Sequence, residues 1–387
     1  MIPASPLQLP ESHPTPYYCY DMGLLGRTLD VLSGIAADFP AFRIHYALKA
    51  NVNPVLLRAI ADSGLGADIV SGGELQAALD AGFAPGRIFF AGVGKTDSEI
   101  AAALEAGIGC LNVESQAEME VISSIASALR KTADIAIRVN PDIDAHTHHY
   151  ITTGLQDNKF GINLDCLDAC IDLARSLPGI RLRGLHFHIG SQITILDPFR
   201  LLCDRVNSIL AQQRTRGVEF SFVNLGGGLG VDYDNPEANP VPDFLAVVEL
   251  MSRTLEIPDG MEVHLELGRS VVAQCGSLIS RVLYIKEGHS RRFAIVDAGM
   301  TELIRPALYG AMHYIDNISA AARGESVHMP YDVVGPVCET SDSFGEAVVL
   351  PLSRRGDIIA IRSAGAYGES MSSHYNCRSL NPPIYLT

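Results

Sequence analysis

Short apolar runs alternate with longer segments of helical period along most of the chain. Eight of these runs are rich in β-branched and aromatic residues and have the length of strands. In order, they read RIHYALK, GADIVS, RIFFAG, CLNVES, DIAIRVN, RLRGLHFHIG, FSFVNLGG and EVHLELG. Nearly every gap between them contains an amphipathic segment, such as GGELQAALDAG or PFRLLCDRVNSILAQQ. Alternating strands and helices predict parallel strands joined by helical crossovers.

The number of these units predicts a closed (β/α)8 barrel over residues 23–265, with an open doubly wound sheet as the alternative. Beyond the barrel the pattern changes to short strand-like runs separated by turn residues, among them VVAQCGSLISRVLYIKEG, RRFAIVDAGM and YDVVGPVCE. These runs predict a β-rich second domain, a small barrel or a sandwich, made of residues 1–22 and 266–387. The strand-like segment PYYCYD near the N-terminus is expected to return to this domain.

Composition and charge exclude several classes of partner. The 387 residues include 29 basic and 44 acidic side chains, so a net charge of −15 argues against nucleic acids and anionic membranes. No apolar run reaches the ~18 residues of a membrane span, and the Pro-rich start lacks the features of a secretory signal. The eight cysteines form no CxxC pair, which favours reduced thiols and a cytoplasmic location. Cys166 and Cys170 are expected to be buried thiols on one helix face, with metal binding as the alternative.

Residues with chemically useful side chains collect at the carboxyl ends of the eight runs, where barrel enzymes have their active sites. A lysine that ends a single strand is usually a solvated cap. A lysine that shares a rim with a histidine, a glycine turn, a carboxylate and an arginine is more often functional. The rim residues are Lys49, Asp68, Ser71, Arg138, Asn140, His186, His188, Gly226, Gly227, Gly228, Glu266 and Arg269.

This set fits the requirements of one cofactor. A lysine at the mouth of a barrel can form a Schiff base with a carbonyl group, and pyridoxal phosphate is the commonest cofactor held in this way. The turn NLGGGLG can bring backbone N–H groups close to a phosphate because glycine has no Cβ. Glu266 can keep a pyridine nitrogen protonated, and the flat ring of His188 can stack on the cofactor. Arg269 offers a planar fork of donors for a phosphate or carboxylate.

Two competing interpretations of the motifs are weaker. The glycine turn loosely resembles a dinucleotide fingerprint, but VDYDNPEANPVP follows it and predicts a loop where that motif requires a helix. The cluster HTHHY at residues 146–150 could suggest a metal site. Adjacent histidines without acidic or cysteine partners are more often loop residues, so no metal is predicted.

The motifs together resemble those of the pyridoxal-phosphate group-IV decarboxylases, which have an alanine-racemase-like barrel and a second β domain. The resemblance covers nearly the whole chain. It rests on YALKAN, GADIVSGGE, DAHTHHYITTGLQDNKFGI, HFHIGSQ, NLGGGLG, ELGR, VDAGMTELIRPALYGAMH, GPVCETSD and AGAYGESMSSHYN, in that order.

The resemblance implies pyridoxal 5'-phosphate as the cofactor, with Lys49, His188 and the proton donor Cys338 as the catalytic residues. It implies a homodimer in which Cys338 and Glu339 reach the neighbour's active site. The other implied cofactor contacts are Asp68, Arg138, Ser191, Gly226, Gly227, Gly228, Glu266, Gly268, Arg269 and Tyr367. The implied substrate contacts are Arg269, Arg305, Tyr309, Glu339 and Tyr367.

The implied reaction is decarboxylation of meso-2,6-diaminopimelate to L-lysine and CO2, the last step of lysine biosynthesis. Simple diamino acids end in a bare ammonium group, whereas this substrate carries a second carboxylate. Arg305 and Tyr309 in LIRPALYG match the family's ligands for that carboxylate, although a structural salt bridge is the alternative for Arg305. The sequence departs from the family pattern at Leu267 and His149, where proline is commoner. The first change is expected to alter the chemistry little, and the second leaves the shape of the active-site mouth open.

Three other readings remain open. A related decarboxylase acting on another carboxylated amino acid, such as a siderophore precursor, would fit the same residues. A non-catalytic carrier of the cofactor would need neither the β domain nor Cys338. An alanine racemase would need a catalytic tyrosine where this chain has Cys338.

Overall fold

The computed structural model describes residues 13–143 and 159–387, which form two compact units. The barrel unit contains residues 29–230 and 243–268. The sheet unit contains residues 13–28, 231–242 and 269–387. The HTHHY segment, with its alternative interpretation as a metal site, lies outside the described residues. Within the described parts of the chain, no helix is both long and apolar enough to cross a membrane.

Strands and helices alternate through the first two thirds of the chain. The strands are β1 (Tyr17–Asp21), β2 (Phe42–Ala47), β3 (Gly66–Ile69), β4 (Ile88–Phe90), β5 (Cys110–Val113), β6 (Ala133–Arg138), β7 (Ile180–His186), β8 (Phe222–Asn224), β9 (Glu262–Leu267), β10 (Gly276–Glu287), β11 (Arg292–Val296), β12 (Ile315–Asn317), β13 (His328–Val334), β14 (Ser343–Pro351), β15 (Ile358–Ile361) and β16 (Ile384–Leu386). The helices are α1 (Met22–Asp38), α2 (Pro54–Asp62), α3 (Gly72–Ala81), α4 (Asp97–Ala106), α5 (Gln116–Ala128), α6 (Leu167–Ser176), α7 (Asp197–Thr215), α8 (Phe244–Thr254), α9 (Arg269–Val272), α10 (Arg305–Tyr309) and α11 (Ile318–Ala322).

Strands β2 to β9 form a closed parallel barrel, so the predicted barrel is confirmed and the open sheet is wrong. The barrel closes where β2 pairs with β9, with His45 opposite Glu266. Polar side chains cap the N-termini of three barrel helices. The side chains of Ser71, Thr96 and Ser115 each accept a hydrogen bond from a backbone N–H in the first turn of α3, α4 and α5.

The sheet unit contains a mixed sheet in the order β12-β15-β10-β11-β13-β14, and β1 pairs with both β10 and β16. The predicted β-rich domain is therefore confirmed, as is the return of PYYCYD to it. The predicted strand that begins at VVAQ is wrong in its first part, because those residues belong to α9 and its end and β10 begins at Gly276. The CE pair of GPVCE lies beyond the end of β13, in a loop held by Asp342, whose carboxylate accepts from the Val337 N–H at 2.7 Å.

All eight cysteines are free thiols. Cys170 is buried in α6, as predicted. Cys166 is exposed, so the expected buried pair is wrong for this residue. The reason is that Cys166 ends a short 3-10 turn that precedes α6, and this position does not share the buried face of the helix.

A layer of aromatic rings fills the interior of the barrel. Phe89 of β4 and Phe222 of β8 come from opposite sides of the barrel, yet their ring centroids are 5.4 Å apart. His45 and His264 complete this layer, with ring centroids 4.5 and 4.9 Å from that of Phe89. Two buried imidazoles therefore lie inside the apolar core.

A chain of hydrogen bonds satisfies these imidazoles. His45 contacts the Arg87 carbonyl oxygen through Nδ1 at 3.2 Å and His264 through Nε2 at 2.8 Å. His264 in turn contacts the Glu262 carboxylate through Nε2 at 3.2 Å. The Arg87 carbonyl oxygen and the Glu262 carboxylate, at the two ends of this chain of contacts, can only accept, so each receives its hydrogen bond from an imidazole N–H.

The pKa values of two members of this chain of contacts are shifted by their surroundings. Burial and the neighbouring His264 lower the pKa of His45 to about 3. The hydrogen bond from His264 lowers the pKa of Glu262 to about 2. His45 is therefore neutral and Glu262 ionised at neutral pH.

The buried His45 should make folding sensitive to mild acid. In the unfolded chain His45 takes up a proton near pH 6.5, whereas the folded protein resists protonation down to about pH 3, so stability falls as the pH decreases between these values. Between pH 7 and pH 5 this loss amounts to about 2 kcal/mol. In His45→Gln, urea denaturation at both pH values should show a smaller decrease by about that amount. The exposed His289→Gln is the control and should keep the wild-type decrease. An unchanged decrease in His45→Gln would contradict the assignment of a neutral His45.

Candidate active site

Residues predicted to bind the cofactor lie at the carboxyl ends of the barrel strands. Lys49 is exposed and lies in a short 3-10 turn directly after β2. Arg138 is the last residue of β6, His188 follows β7 by two residues, and Glu266 is the penultimate residue of β9. The other members at this rim are Asp68 in β3, Ser191 after β7, Gly226, Gly227 and Gly228 after β8, and Gly268 after β9.

Glu266 is the centre of a buried hydrogen-bond network. Its Oε1 accepts from Asn224 Nδ2 at 2.6 Å and from Asn112 Nδ2 at 3.3 Å, and His186 Nε2 lies 3.0 Å from its Oε2. Asn112 belongs to β5, which is diametrically opposite β9 in the barrel order, so this bond crosses the barrel interior. Donors from three other strands thus converge on one carboxylate.

The network shifts the pKa values of the two buried carboxyl groups of the rim in opposite directions. Burial raises the pKa of Glu266, but the interaction with His186 and the charge of Lys49 outweigh it, and the pKa lies well below the usual range. Burial raises the pKa of Asp68 well above its usual range, and the charge of Glu266 raises it further. Since two neighbouring carboxyl groups resist joint ionisation, Glu266 holds a negative charge more readily than Asp68 does.

Two buried polar atoms beside this network have no hydrogen-bond partner among the described residues. They are Oδ1 of Asp68 and Nδ1 of His186. A buried polar atom without a partner is costly, so such atoms commonly mark the place of a ligand or water. These two atoms therefore fit a polar ligand at the rim.

His188 is held as a neutral flat ring. Its Nδ1 accepts a hydrogen bond from the Gly227 N–H at 3.3 Å, so this nitrogen carries no proton. Burial lowers the pKa of His188 well below its usual range, and the charges of Lys49 and Arg138 lower it further. A neutral imidazole of fixed orientation is suited to stacking on a planar group.

The glycine turn is required by the packing of the barrel itself. A Cβ on Gly226 would overlap the Phe187 carbonyl oxygen, and one on Gly227 would overlap the Glu266 carbonyl oxygen. The Gly226 N–H donates to Asn224 Oδ1 at 2.9 Å, and the Gly227 N–H donates to His188. Two of the three N–H groups that the sequence offers to a phosphate are therefore already used, and only that of Gly228 forms no described hydrogen bond.

Lys95 is a second lysine at this end of the barrel, in the loop after β4. Its Nζ donates to the carbonyl oxygens of Gly92 and Asn112 at 2.8 and 2.7 Å and pairs with Glu118 at 2.7 Å. Its side chain is only 1% exposed. Lys95 is thus committed to the fold, whereas the charge of Lys49 acts on Asp68, Glu266 and His188.

Arg138 is also paired within the barrel unit. Its guanidinium donates to Glu114 Oε1 at 2.9 Å and lies over the Phe160 ring at 4.7 Å. The other Glu114 oxygen accepts from the Gly161 N–H at 2.7 Å. The predicted contact of Arg138 with a cofactor stays a prediction.

Two buried arginines form a separate cluster in the sheet unit. Arg269 donates to the Tyr233 hydroxyl at 2.8 Å, and its guanidinium lies 4.9 Å from the centroid of the Tyr367 ring. Arg305 lies 4.7 Å from the centroid of the Tyr233 ring. Tyr367 has a positive φ of 57°, an uncommon conformation for a residue other than glycine and one that often occurs at functional sites. The arrangement presents two cations with aromatic faces between them.

The remaining predicted residues of the sheet unit are partly or fully exposed. Tyr309 is half-buried at the end of α10; burial lowers the pKa of Arg269, but Tyr233, Tyr367 and, to a smaller extent, Tyr309 raise it above its usual value. Cys338 and Glu339 are exposed. The Cys338 N–H donates to Asn376 Oδ1 at 3.5 Å, and the Tyr375 hydroxyl donates to Glu339 Oε1 at 2.8 Å. The loop that carries these two side chains is therefore tied to the turn at residues 375–377.

Several residues of these clusters were not predicted from the sequence to have a role. Asn112 and Asn224 were visible as polar side chains inside apolar strands, which is a signal for a buried polar network. His186 was placed at the rim without a partner. Tyr233 lies in a loop and His313 follows a short helix, so neither carried a local signal. The role of these last two depends on neighbours that are distant in sequence.

A family model and named relatives each match most of this chain. Residues 30–273 match the family described as "Pyridoxal-dependent decarboxylase, pyridoxal binding domain". Diaminopimelate decarboxylase of Bacteroides thetaiotaomicron is 52% identical over 95% of this chain and 94% of its own length. The enzyme of that name from Aquifex aeolicus is 41% identical over 96% of this chain and 86% of its own length.

Solved structures of such enzymes are also similar. The crystal structure of diaminopimelate decarboxylase from Helicobacter pylori, complexed with L-lysine, has a TM-score of 0.89 and 41% identity, and the match covers 97% of this chain and 92% of that one. Lysine/ornithine decarboxylase from Vibrio vulnificus has a TM-score of 0.81 over 96% and 94% of the two chains. At 23% identity, the second comparison supports the fold alone.

The tight packing of the glycine turn predicts a specific loss of stability. Gly227→Ala should lower the free energy of unfolding by about 1–3 kcal/mol, because a Cβ there overlaps the Glu266 carbonyl oxygen. Gly94→Ala is the matched control, since a Cβ on this glycine of the loop after β4 meets nothing within 4 Å. Urea denaturation should place this control within about 0.5 kcal/mol of the wild type. Equal stability of the two variants would show that the turn tolerates a side chain.

Proposed function

Since the chain belongs to the pyridoxal-dependent decarboxylase family, we propose that it removes CO2 from meso-2,6-diaminopimelate and leaves L-lysine, the last step of lysine biosynthesis. The observation that carries the proposal is the buried Glu266, which three donors keep ionised and on which the charge of the rim lysine, Lys49, acts. An ionised carboxylate in this position suits a ring nitrogen that must stay protonated. The high identity to the Bacteroides enzyme over nearly the full length supports the substrate.

The rim of the barrel unit fits pyridoxal 5'-phosphate. Lys49 would hold the cofactor aldehyde covalently, His188 would stack on the ring, and Glu266 would pair with the ring nitrogen. The unpartnered Asp68 Oδ1 offers a further polar contact. When bound, the cofactor supplies an electron-withdrawing ring that accepts the electron pair left behind as CO2 departs.

The phosphate group would be held by fewer backbone donors than the glycine motif suggests. The N–H groups of Gly226 and Gly227 already donate within the barrel. We assign the Gly228 N–H and the Ser191 hydroxyl to the phosphate. Gly268, Arg138, Arg269 and Tyr367 stay as further proposed contacts of the cofactor.

Substrate selection follows from the arginine cluster. Among the described residues, no carboxylate forms an ion pair with Arg305, although this side chain is buried. A structural salt bridge, the alternative for this residue, thus finds no support in the described chain. Arg305 and Tyr309 would bind the substrate carboxylate that is retained in the product. Arg269 would bind phosphate or substrate carboxylate, and a carboxylated analogue such as a siderophore precursor remains the second candidate.

Cys338 and Glu339 would act in the active site of a neighbouring subunit. Both side chains are exposed, and their loop is held by hydrogen bonds to the turn at residues 375–377. The Cys338 thiol would donate the proton that replaces the lost carboxyl group, since a thiol releases a proton more readily than a hydroxyl. Glu339 would receive the amino group of the reacting substrate. The assembly is then a homodimer with two shared sites.

The first test is CO2 release by the purified protein loaded with pyridoxal phosphate. The protein is offered meso-diaminopimelate, L-lysine, L-ornithine and L-arginine in separate assays. Release from diaminopimelate alone, with L-lysine formed in equal amount, is expected because Arg305 requires a second carboxylate. Release from ornithine or lysine at a comparable rate would contradict the proposed substrate. Absence of release from all four, with the cofactor bound, would favour the carboxylated analogue.

The shared site predicts complementation between two inactive variants. Lys49→Arg and Cys338→Ser homodimers are each expected to have little activity. After mixing and subunit exchange, half of the dimers are mixed and each of these contains one fully native site, so activity should recover to about a quarter of the wild-type value. A mixture of Lys49→Arg with Lys49→Ala is the control and should not recover. Failure of the first mixture to recover, with exchange verified by mass spectrometry, would show that each subunit carries a complete site.

A further inference from the structure

His313 is a buried residue of the sheet unit with no role in the proposed chemistry. It follows α10, eight residues beyond Arg305, and is 7% exposed. Its Nε2 lies 2.7 Å from Arg305 Nη1, and its Nδ1 lies 2.8 Å from the Arg362 carbonyl oxygen. The ring also contacts the Tyr233 ring edge-on, with centroids 5.0 Å apart. His313 thus joins the cationic cluster to the end of β15.

The partners of His313 determine its tautomer. A carbonyl oxygen can only accept, so Nδ1 must carry the proton. A guanidinium can only donate, so Nε2 must present a lone pair. Only the neutral ring with the proton on Nδ1 satisfies both contacts. Burial and the charge of Arg305 lower the pKa of His313 to about 3, which agrees with this geometry.

The carbonyl that orients His313 is itself well anchored. Arg362 directly follows β15, and its N–H donates to the Tyr314 carbonyl oxygen at 2.8 Å. Its side chain pairs with Asp316 at 2.9 Å and with Glu237 at 3.3 Å. The imidazole therefore has a defined orientation before any ligand binds. Its hydrogen bond with Nη1 then orients the Arg305 guanidinium.

A neutral acceptor orients an arginine without cancelling its charge. A carboxylate in the place of His313 would orient Arg305 equally well but would compete with any anion that the guanidinium is meant to bind. The Tyr233 ring covers another side of the same guanidinium and is likewise uncharged. A guanidinium has five N–H donors, so donors remain for a planar carboxylate after one is given to His313.

We propose that His313 is a positioning residue for substrate recognition: as a neutral acceptor, it holds the Arg305 guanidinium ready for the carboxylate that the reaction retains. This rests on the proposed function. It goes beyond that function by assigning the selection between carboxylated and uncarboxylated ligands to a residue that does not itself contact the substrate. Arg305 supplies the positive charge. His313 orients the guanidinium that carries it and, being neutral, does not cancel it.

The retained carboxylate provides a pair of matched probes. Decarboxylation of one end of diaminopimelate leaves the other end intact, so L-lysine still carries the carboxylate that Arg305 would bind. Cadaverine is lysine without that carboxylate. Binding of L-lysine should therefore depend on His313, whereas binding of cadaverine should not.

The experiment compares His313→Gln, His313→Leu and His313→Glu in the holoenzyme, with exposed His328→Gln as the control. Calorimetry measures the Kd of L-lysine and of cadaverine, and steady-state assays measure kcat and KM for meso-diaminopimelate. In His313→Leu we expect KM and the L-lysine Kd to rise about tenfold, as for loss of a hydrogen bond to a charged group, with kcat changed less than about threefold. His313→Gln can again accept from Arg305 and should recover most of the affinity, and His328→Gln should match the wild type.

His313→Glu separates positioning from simple structural support. Glutamate can accept from Arg305 as glutamine does, but it cancels the charge, so it should raise the L-lysine Kd further than leucine does and leave the cadaverine Kd unchanged or lower. L-lysine affinity in His313→Glu equal to that in His313→Gln would overturn the proposal, as would equal losses for lysine and cadaverine in His313→Leu. Urea denaturation identifies any variant that fails to fold, and His313→Gln then carries the comparison. If the wild type releases no CO2 from diaminopimelate, the proposed function fails, while the two Kd values still test the role of His313.

Discussion

The structure of the barrel unit depends on a negative charge buried at the end of β9. Removing a carboxylate from water costs several kcal/mol unless donors replace the water. Glu266 obtains its donors from β5, β7 and β8, and the donor from β5 reaches it across the barrel interior. Those three strands converge on one point only when the sheet is closed. Closure of the barrel and ionisation of Glu266 are therefore linked.

The charge on Glu266 in turn determines the state of its neighbours. Burial raises the pKa of Asp68 well above its usual range, and the charge of Glu266 raises it further. The glycine turn after β8 must pass directly beside the Glu266 backbone, and this excludes a Cβ at Gly227. The N–H of that glycine then orients His188. A lysine, a neutral imidazole, a carboxyl group of raised pKa and an ionised carboxylate thus lie on one rim.

The buried charge of Arg305 in the sheet unit has no oppositely charged or strongly compensating partner among the described residues. Glu266 is surrounded by donors, whereas Arg305 is packed against a tyrosine ring and a neutral histidine. Aromatic faces and a lone pair make burial of a cation tolerable without removing its charge. The cation is then available to an anionic ligand. The buried carboxylate of the barrel unit is thus paired with donors, whereas the buried cation of the sheet unit keeps its charge uncancelled.

Much of this could be predicted from the sequence because the signals are local. The alternation of apolar runs and amphipathic segments predicted eight strands and their closure, and the position of Lys49 after its strand predicted a rim lysine. The helical start of VVAQ and the exposure of Cys166 were mispredicted because both positions lie at a helix end or boundary, where the pattern is weakest. Asn112 and Asn224 were visible as polar residues in apolar strands, but the sequence of those strands does not predict which carboxylate they bind.

By itself, the sequence determined the order of the elements, the residues at the strand ends and, through its motifs, the family. The tertiary structure decided which of those residues share a proton, a charge or a hydrogen bond. Asn112 and Glu266 are separated by 154 positions, and His313 is separated by 49 positions from the Arg362 carbonyl oxygen that orients its ring. Such pairings depend on distances of about 3 Å between groups that are far apart in the chain. Hydrophobic pattern specifies which face a residue occupies, but it does not specify which distant atom that residue meets.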